Sequence, residues 1–374
     1  MRYTLCSFPV LFLLLILSGS AAAAAEPDSL SVKIGQMIMI GFRGLTVENE
    51  PSLAADIRER GIGGVVLFDY DVPAASTVRN IESPRQLARL TADLQQQAQI
   101  PLFIAIDQEG GRVNRLKPSR GFAAALSAAH LGRLDNADST RGAANATALM
   151  LKKLNINMNL APVADLNTNP SNPVIGRLER SFSAEPGVVS RHAKLTAETY
   201  RGNGIIPVLK HFPGHGSSAT DTHRDFTDVT ASWSTEELDP YRNLIRSGYS
   251  DPVMTAHIYH AGLDRRYPAT LSKKVVTGLL RHDLGFRGIV ISDDLQMKAV
   301  ADRYSLETAI RLALDAGIDI LLFANNSVYD PAIAAKASAI IRSLVGRNIV
   351  DRKRIDRSYN RIMELKEHYL FRCK

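Results

Sequence analysis

The chain has 374 residues, of which 45% are hydrophobic and 22% are charged, with 25 glycines and 17 prolines. This composition is typical of a globular protein and excludes a collagen-like, coiled-coil or disordered chain. The net charge of +7 is spread along the sequence, and without a recognisable nucleic-acid-binding motif it indicates no nucleic acid partner. Only two cysteines, Cys6 and Cys373, are present, which excludes a disulfide scaffold and a cysteine-rich zinc site.

The first 25 residues have the pattern of a secretory signal peptide. Arg2 gives a basic start, an apolar run covers residues 8–17, and an Ala-x-Ala pattern ends at Ala25. The apolar run is too short to cross a bilayer comfortably, although an uncleaved membrane anchor is the alternative. We therefore expect a mature chain over residues 26–374 that is periplasmic or secreted and has no membrane span after cleavage.

The rest of the chain repeats one unit, a short apolar run followed by an amphipathic stretch. The predicted strands are, in chain order, residues 37–42, 64–68, 102–107, 156–162, 205–212, 253–258, 288–293 and 319–324. Helical patterns cover residues 84–97, 140–154, 188–202, 235–248, 273–284, 306–316 and 331–344. A basic helix over residues 351–370 would pack outside the sheet.

Continuous apolar strands that alternate with helices predict a parallel sheet with its outer face covered. Eight such units match the count of a (β/α)8 TIM-type barrel, here as a single domain with a C-terminal helix. A doubly wound open sheet is the competing α/β architecture, but no Gly-x-Gly-x-x-Gly follows the first strand. Active sites of barrels lie at the carboxyl ends of the strands, where this sequence has Asp107, Asp165, Lys210, His211, His257, Asp293 and Asn325.

One segment contains several candidate catalytic side chains. It has the sequence Lys-His-Phe-Pro-Gly-His-Gly over residues 210–216 and continues to Asp221 and His223. Its proline and glycines end the strand and open a loop, and the small residues that follow predict a mobile segment. The carboxylate of Asp221 can bind the imidazole of His223, fix its tautomer and raise its basicity. Such a pair suits general acid/base catalysis. Asp-x-His is a weak pattern, so a surface loop with incidental histidines is the alternative.

Two other segments place carboxylates at strand ends. A partly desolvated carboxylate at Asp293 can attack an electrophilic carbon, as in retaining glycosidases. Helix capping is the alternative for Asp293 and is what we expect for Asp294. Asp107 precedes a Gly-Gly turn, and its ionised carboxylate can accept hydrogen bonds from vicinal hydroxyls. The alternative for Asp107 is a salt-bridged structural loop.

These motifs together resemble glycoside hydrolase family 3, in its branch of NagZ-type β-N-acetylglucosaminidases. The resemblance rests on the 210–216 motif with its Asp-x-His, on Asp-Gln-Glu-Gly-Gly-Arg-Val and on Ser-Asp-Asp-Leu-x-Met, and it extends from about residue 34 to residue 344. It implies a retaining exo-β-N-acetylhexosaminidase that needs no metal or other cofactor. The nucleophile would be Asp293, with His223 as acid/base and Asp221 as its partner. The implied sugar-contacting residues are Asp107, Arg115, Arg180, Lys210 and His211.

The sequence departs from this family at two points. The pattern Ile-Gly-x-Arg-Ser-Phe is two residues longer here, over residues 175–182, so that Arg177 competes with Arg180 for the sugar-binding role. The predicted signal peptide is the second departure, because the family members that recycle peptidoglycan work in the cytoplasm.

The expected substrate is a carbohydrate with a terminal β-linked GlcNAc, on peptidoglycan fragments, chitooligosaccharides or glycoconjugates. A GlcNAc phosphorylase that uses the same residues is an alternative, as is an exported β-glucosidase or β-xylosidase. The latter usually carry Asp-Trp where this chain has Asp293-Asp294. A non-catalytic wall-binding barrel and a metal hydrolase are further alternatives. We expect a monomer, although no sequence pattern bears on the oligomeric state.

Overall fold

Short runs of aliphatic residues, almost wholly buried, form the strands at the centre of the protein. The computed structural model describes residues 29–222 and 224–371. The predicted signal peptide, both cysteines and His223 lie outside these ranges. The strands are β1 (Ile38–Gly41), β2 (Gly64–Leu67), β3 (Phe103–Ile106), β4 (Gln108–Gly110), β5 (Val113–Asn114), β6 (Met158–Asn159), β7 (Ile206–Pro207), β8 (Leu209–Phe212), β9 (Thr227–Asp228), β10 (Val253–Thr255), β11 (Ile258–Tyr259), β12 (Val290–Ile291) and β13 (Leu321–Phe323).

The parallel strands close into a barrel. One sheet has the order β13-β1-β2-β3-β6-β7 and a second has the order β12-β10-β8. Only Val208 separates β7 from β8, so these two strands are consecutive pieces of one barrel strand. A parallel bridge between Ile291 and Ile320 connects β12 to the strand that contains β13. The circle is thereby complete, and the predicted (β/α)8 barrel is confirmed.

Helices cover the outside of the barrel. They are α1 (Ser29–Gln36), α2 (Pro51–Arg58), α3 (Pro84–Gln97), α4 (Ala128–Leu134), α5 (Ala137–Lys153), α6 (Pro186–Gly202), α7 (Asp239–Arg246), α8 (Lys298–Ala301), α9 (Leu306–Ala316), α10 (Ile333–Gly346) and α11 (Arg352–Lys366). Wider π-helical turns form Lys274–Asp283 and Glu367–Phe371, and short 3-10 turns form Pro118–Arg120, Thr235–Leu238 and Ala269–Leu271. Within the described part of the chain, no helix is long and apolar enough to cross a membrane.

Helix ends agree with the sequence where a strong cap sets them. For α3, the Ser83 side chain accepts a hydrogen bond from the Gln86 amide and Pro84 occupies the first turn. For α9, Ser305 caps the start and Gly317 ends the helix in the left-handed conformation. Both helices therefore have the bounds that the sequence predicts.

Several predicted strands are shorter or interrupted. The predicted strand over residues 205–212 is broken because the Val208 amide donates to the carbonyls of both Asn159 and Ala161. The strand expected over residues 156–162 ends at Asn159. The sequence analysis did not anticipate α1, α2, α4 or the β4–β5 hairpin, which are short elements with weak periodicity.

The terminal helix packs against the barrel, as predicted. The Lys366 ammonium is fully buried and donates to Gln36 Oε1 at 2.6 Å and to the Gly63 carbonyl at 2.9 Å. Both partners lie just before barrel strands, at the amino end of the barrel. Nearby, Asp319 forms ion pairs with Arg281 and Arg361. These contacts fix the amino end of the barrel and leave the opposite end for the site.

Candidate active site

A cavity of 570 Å³ opens at the carboxyl ends of the barrel strands. It has the size of a small-molecule site and the location of barrel active sites. Seven of the eight residues assigned by resemblance line it: Asp107, Arg115, Arg180, Lys210, His211, Asp221 and Asp293. The eighth, His223, lies outside the described residues.

A buried lysine connects two carboxylates on one wall of the cavity. The Lys210 side chain, only 2% exposed, places its ammonium 2.6 Å from Asp107 Oδ1 and 2.6 Å from Glu109 Oε1. Arg180 binds Glu109 through two hydrogen bonds of 2.7 Å. A buried charge is stable only when it is paired and hydrogen-bonded, so these side chains hold one another in place.

The cations keep both carboxylates ionised. Burial would raise the pKa of Asp107, but the charges of Lys210 and Arg115 outweigh it and hold this pKa well below its usual range. Burial also opposes ionisation of Glu109, and Arg180 with Lys210 lowers its pKa nonetheless. An ionised Asp107 accepts hydrogen bonds and cannot donate them. At the cavity wall it is therefore suited to bind substrate hydroxyls.

A buried aspartate orients His211. Asp165 Oδ2 lies 2.7 Å from His211 Nδ1, and Asp165 Oδ1 accepts from the backbone amides of His211 and His215. Burial tends to raise the pKa of Asp165, but the His211 imidazole and the His215 amide lower it overall. The other ring nitrogen of His211 lies 3.3 Å from Arg180 Nη2. The ring is thus fixed at both nitrogens beside the cavity.

The structure distinguishes between the two candidate arginines. Arg180 lies in the cavity wall, and its side chain is 11% exposed. Arg177 is exposed and does not line the cavity. Within the longer stretch, Glu179 has a positive φ of 55° and its carboxylate accepts a hydrogen bond from the Ser127 hydroxyl. Of the two candidate arginines, Arg180 is therefore the one that lines the cavity.

The adjacent aspartates after β12 have different surroundings. Asp293 lines the cavity and is partly exposed, and its Oδ1 accepts from the Asp294 amide at 2.8 Å. Asp294 is buried and accepts from the amides of Gln296 and Ala324. Asp294 thus ties a turn to the last barrel strand, whereas we expected it to cap the next helix. His257 Nε2 lies 2.8 Å from the Asp294 carbonyl and fixes the same turn.

The loop after β8 packs tightly against its surroundings. A Cβ atom added at Gly216 would lie 1.6 Å from the Leu166 carbonyl oxygen, so no side chain fits there. The Gly216 amide donates to Glu237 Oε2 at 3.0 Å. Gly214 has a φ of +119°, and a Cβ atom there would lie 2.6 Å from Glu237. The two glycines therefore let the loop lie directly on Glu237.

The segment between Gly216 and His223 is hydrogen-bonded at several points. Ser218 Oγ contacts His215 Nδ1 at 2.9 Å and accepts from Asn172. The Thr222 carbonyl accepts from the Ala299 amide of α8 at 3.3 Å. The described conformation is thus anchored on both sides, and motion of this segment on substrate binding stays a prediction.

Glu237 is a buried acid beneath this loop. Burial raises its pKa to about 7 and the nearby Asp165 carboxylate adds to this shift, against the opposing effect of the Ser217 side chain and of the Gly216 and Ser217 amides. Its Oε1 atom has no hydrogen bond of normal geometry to any described residue, and the same holds for Ser217 Oγ and Tyr241 Oη. Burial likewise lowers the pKa of His215 to about 4, although Asp165 opposes this shift.

Three carboxylates of this site were not assigned roles from sequence. Glu109 stands in the Asp-Gln-Glu motif, and its position two residues after Asp107 is the only signal for it. Asp165 was noted as a strand-end residue and nothing more. No pattern indicates Glu237. Among residues 29–222 and 224–371, no three His, Cys, Asp or Glu side chains are grouped to hold a metal ion.

A (β/α)8 barrel with paired cations and carboxylates around one strand-end cavity has its candidate site where barrel enzymes have theirs. The family model described as the glycosyl hydrolase family 3 N terminal domain matches residues 29–365. The chain belongs to glycosyl hydrolase family 3.

Similar proteins carry related names. A β-hexosaminidase A of Pseudoalteromonas piscicida is 33% identical over 338 residues, which are 82% of this chain and 55% of that protein. A β-hexosaminidase of Nitrosomonas eutropha is 36% identical over 278 residues, or 71% of this chain and 74% of that one. A family 3 β-N-acetylglucosaminidase from Paenibacillus sp. superposes with a TM-score of 0.84 at 34% identity, covering 93% of this chain and 64% of that one. The chain thus spans little more than half of the first relative and under two thirds of the solved structure.

We predict that Arg180→Ala lowers kcat/KM for a glycoside substrate on the order of 100-fold, because the substrate loses a charge-assisted hydrogen bond from the Arg180 guanidinium at the cavity wall. Arg177→Ala serves as the matched control and should change kcat/KM by about twofold or less, as expected for an exposed side chain. Steady-state kinetics of both purified variants measure the effect. A large loss in Arg177→Ala with little loss in Arg180→Ala would reverse the assignment.

The raised pKa of Glu237 predicts a pH-dependent stability. The folded protein retains a proton there up to about pH 7, whereas the unfolded chain releases it near pH 4.5. The stabilising contribution is therefore complete below pH 4.5 and is lost as pH rises through 7. Glu237→Gln cannot titrate, so its free energy of unfolding relative to wild type should rise by up to about 3 kcal/mol between pH 5 and pH 8. Denaturant unfolding at both pH values measures this difference; a constant difference would contradict the prediction.

Proposed function

We propose that this protein is an exported, retaining exo-β-N-acetylhexosaminidase that removes terminal β-linked GlcNAc. The observation that carries the proposal is the joint presence of Asp293, Asp221 and the Lys210–Arg180 charge network around one cavity. The family membership and the names of the relatives support it. Peptidoglycan fragments or chitooligosaccharides are the substrates that we propose.

In the first step, Asp293 attacks the anomeric carbon while the bond to the leaving oxygen breaks. His223 donates its proton to that oxygen, and Asp221 orients the imidazole and stabilises its charged form. The product of this step is a glycosyl ester on Asp293 and a free acceptor. Asp107 and Arg180 hold the sugar hydroxyls, so that the anomeric carbon faces the nucleophile.

In the second step, water attacks the anomeric carbon and displaces the Asp293 carboxylate. His223 takes the proton of this water and returns to the form that starts the next cycle. A histidine suits both directions because its reference pKa of about 6.5 lies near neutrality. An imidazole in the neutral form also repels an anionic acceptor less than a carboxylate would, so phosphate in place of water defines the alternative activity of a GlcNAc phosphorylase.

Export is proposed from the basic start, the apolar run and the Ala-x-Ala end within the first 25 residues. Amino-terminal sequencing of the protein recovered from its native host would show a start near residue 26. Recovery of the uncleaved chain in the membrane fraction would support an anchor instead.

A panel of aryl β-glycosides that differ only at the 2-position tests the proposed function. We expect the 2-acetamido sugar to be hydrolysed with a kcat/KM at least about 100-fold above the 2-hydroxy sugar, since a lost polar contact in a fitted site is costly. Release of GlcNAc in a non-nucleophilic buffer indicates hydrolysis. Sugar 1-phosphate formed faster than GlcNAc in phosphate buffer would favour the phosphorylase, and preference for the 2-hydroxy sugar would favour a β-glucosidase or β-xylosidase.

We predict that Asp293→Asn lowers turnover by several orders of magnitude and abolishes covalent trapping by a 2-deoxy-2-fluoro glycoside, because the amide is a poor nucleophile. Intact-protein mass spectrometry detects the trapped sugar, and Asp294→Asn is the neighbouring control. Labelling should persist in Asp294→Asn if it folds. Loss of labelling in Asp294→Asn alone would move the nucleophile by one residue.

A further inference from the structure

Glu237 packs against the loop that follows β8 and accepts a hydrogen bond from it. It lies in the 3-10 turn Thr235–Leu238, its side chain is 1% exposed, and its Oε2 accepts the Gly216 amide hydrogen at 3.0 Å. Gly214 packs against its Cβ atom and carboxyl group, since an added Cβ there would lie 2.6 Å from both. One carboxyl group thus contacts the loop at two glycines.

Hydrogen bonds connect the glycines of this loop to the residues that follow them and that reach the cavity. His215, between the two glycines, contacts Ser218 through Nδ1 and Thr222 through Nε2. The Thr222 carbonyl accepts from Ala299 in the segment that follows the Asp293 turn. Asp221, just before Thr222, lines the cavity. The position of Asp221 therefore depends on where the Gly214–Gly216 backbone is held.

Asp165 and Asn172 also bond to this backbone, at the His215 amide and at the His215 and Gly216 carbonyls, but these bonds do not involve the Gly216 amide. Gly216 also packs tightly against the Leu166 carbonyl oxygen, which leaves no room for a side chain at this position. Glu237 is the only side-chain acceptor of the Gly216 amide among the described residues. Without Glu237, the buried Gly216 amide would have no side-chain acceptor, which is energetically unfavourable. We therefore expect the backbone around Gly216 to move toward another acceptor.

We propose that Glu237 is a positioning residue for Asp221, the partner of the proposed acid/base, acting through the Gly216 amide and not through contact with the substrate. This inference rests on the proposed function for the role of Asp221 and His223. Loss of the Glu237 carboxyl displaces the loop and weakens proton donation to the leaving oxygen. It leaves nucleophilic attack by Asp293 intact, because Asp293 is held by the turn after β12.

The kinetic test compares substrates that need protonation with substrates that do not. Glu237→Ala should lower kcat/KM for a phenyl β-GlcNAc glycoside at least about tenfold more than for the 2,4-dinitrophenyl glycoside, whose leaving group departs without an acid. Glu237→Gln keeps an acceptor for the Gly216 amide and should stay within about threefold of wild type on both substrates. Equal losses on the two substrates in Glu237→Ala would overturn the proposal.

Asp251→Asn is the matched control. Asp251 is also a buried carboxylate, but it binds Arg201 and Tyr369 just before β10, at the opposite end of the barrel. Its substitution should lower the melting temperature and leave the ratio of the two kcat/KM values at the wild-type value. A change of this ratio as large as in Glu237→Ala would show a general effect of destabilisation and would overturn the positioning role.

Hydrogen exchange tests the positioning without relying on catalysis. Peptides that cover residues 212–222 should take up deuterium faster in Glu237→Ala than in wild type or Asp251→Asn. Unchanged exchange in this segment would overturn the proposal even if activity fell. If Glu237→Ala does not fold, Glu237→Asp shortens the side chain by one methylene and should give the same two signatures. If wild type cleaves no aryl β-GlcNAc glycoside, the proposed function fails, and the exchange experiment still decides whether Glu237 holds the loop.

Discussion

The Lys210 ammonium, buried between Asp107 and Glu109, is the interaction on which the site depends. A lysine almost excluded from solvent is tolerated only because two carboxylates lie 2.6 Å from it. Glu109 in turn binds Arg180, and Arg180 reaches His211. Residues of β8 and of the segments that follow β3 and β6 are thereby fixed relative to one another before any ligand enters. Such a preorganised wall is what a site needs if it is to recognise hydroxyl groups without first rearranging.

Asp293 and Asp221, which also line the cavity, are held in place in two different ways. Asp293 sits on a turn held by buried backbone contacts of Asp294, whereas Asp221 belongs to a loop whose path is set by glycines and by Glu237. The proposed nucleophile, Asp293, and the proposed partner of the acid/base, Asp221, are therefore held by different contacts.

Hydrophobic periodicity and polar residues at strand ends were enough to predict the barrel, several helix bounds and part of the candidate site. Helices with strong caps, such as α3 and α9, have the expected bounds because the capping residues act locally. Asp107, Lys210, His211 and Asp293 could be placed together because parallel strands of a barrel end at one face. Arg115 and Arg180 were assigned only from the family resemblance, and Asp221 from its Asp-x-His pattern. The strand predicted over residues 205–212 has nearly the observed span, but its interruption at Val208 could not be predicted because it comes from bonds to the neighbouring strand. Glu237 escaped notice because its contacts depend on how the chain returns in space, which local pattern does not record.

The most direct test of the account is a crystal structure of the protein with GlcNAc bound. The account predicts the sugar in the strand-end cavity, with hydroxyls within hydrogen-bond distance of Asp107 and Arg180 and the anomeric carbon facing Asp293. It also predicts that the bonds of Lys210 to Asp107 and Glu109 persist in the complex. A sugar bound elsewhere, or one held in this cavity with its anomeric carbon directed away from Asp293, would contradict the account.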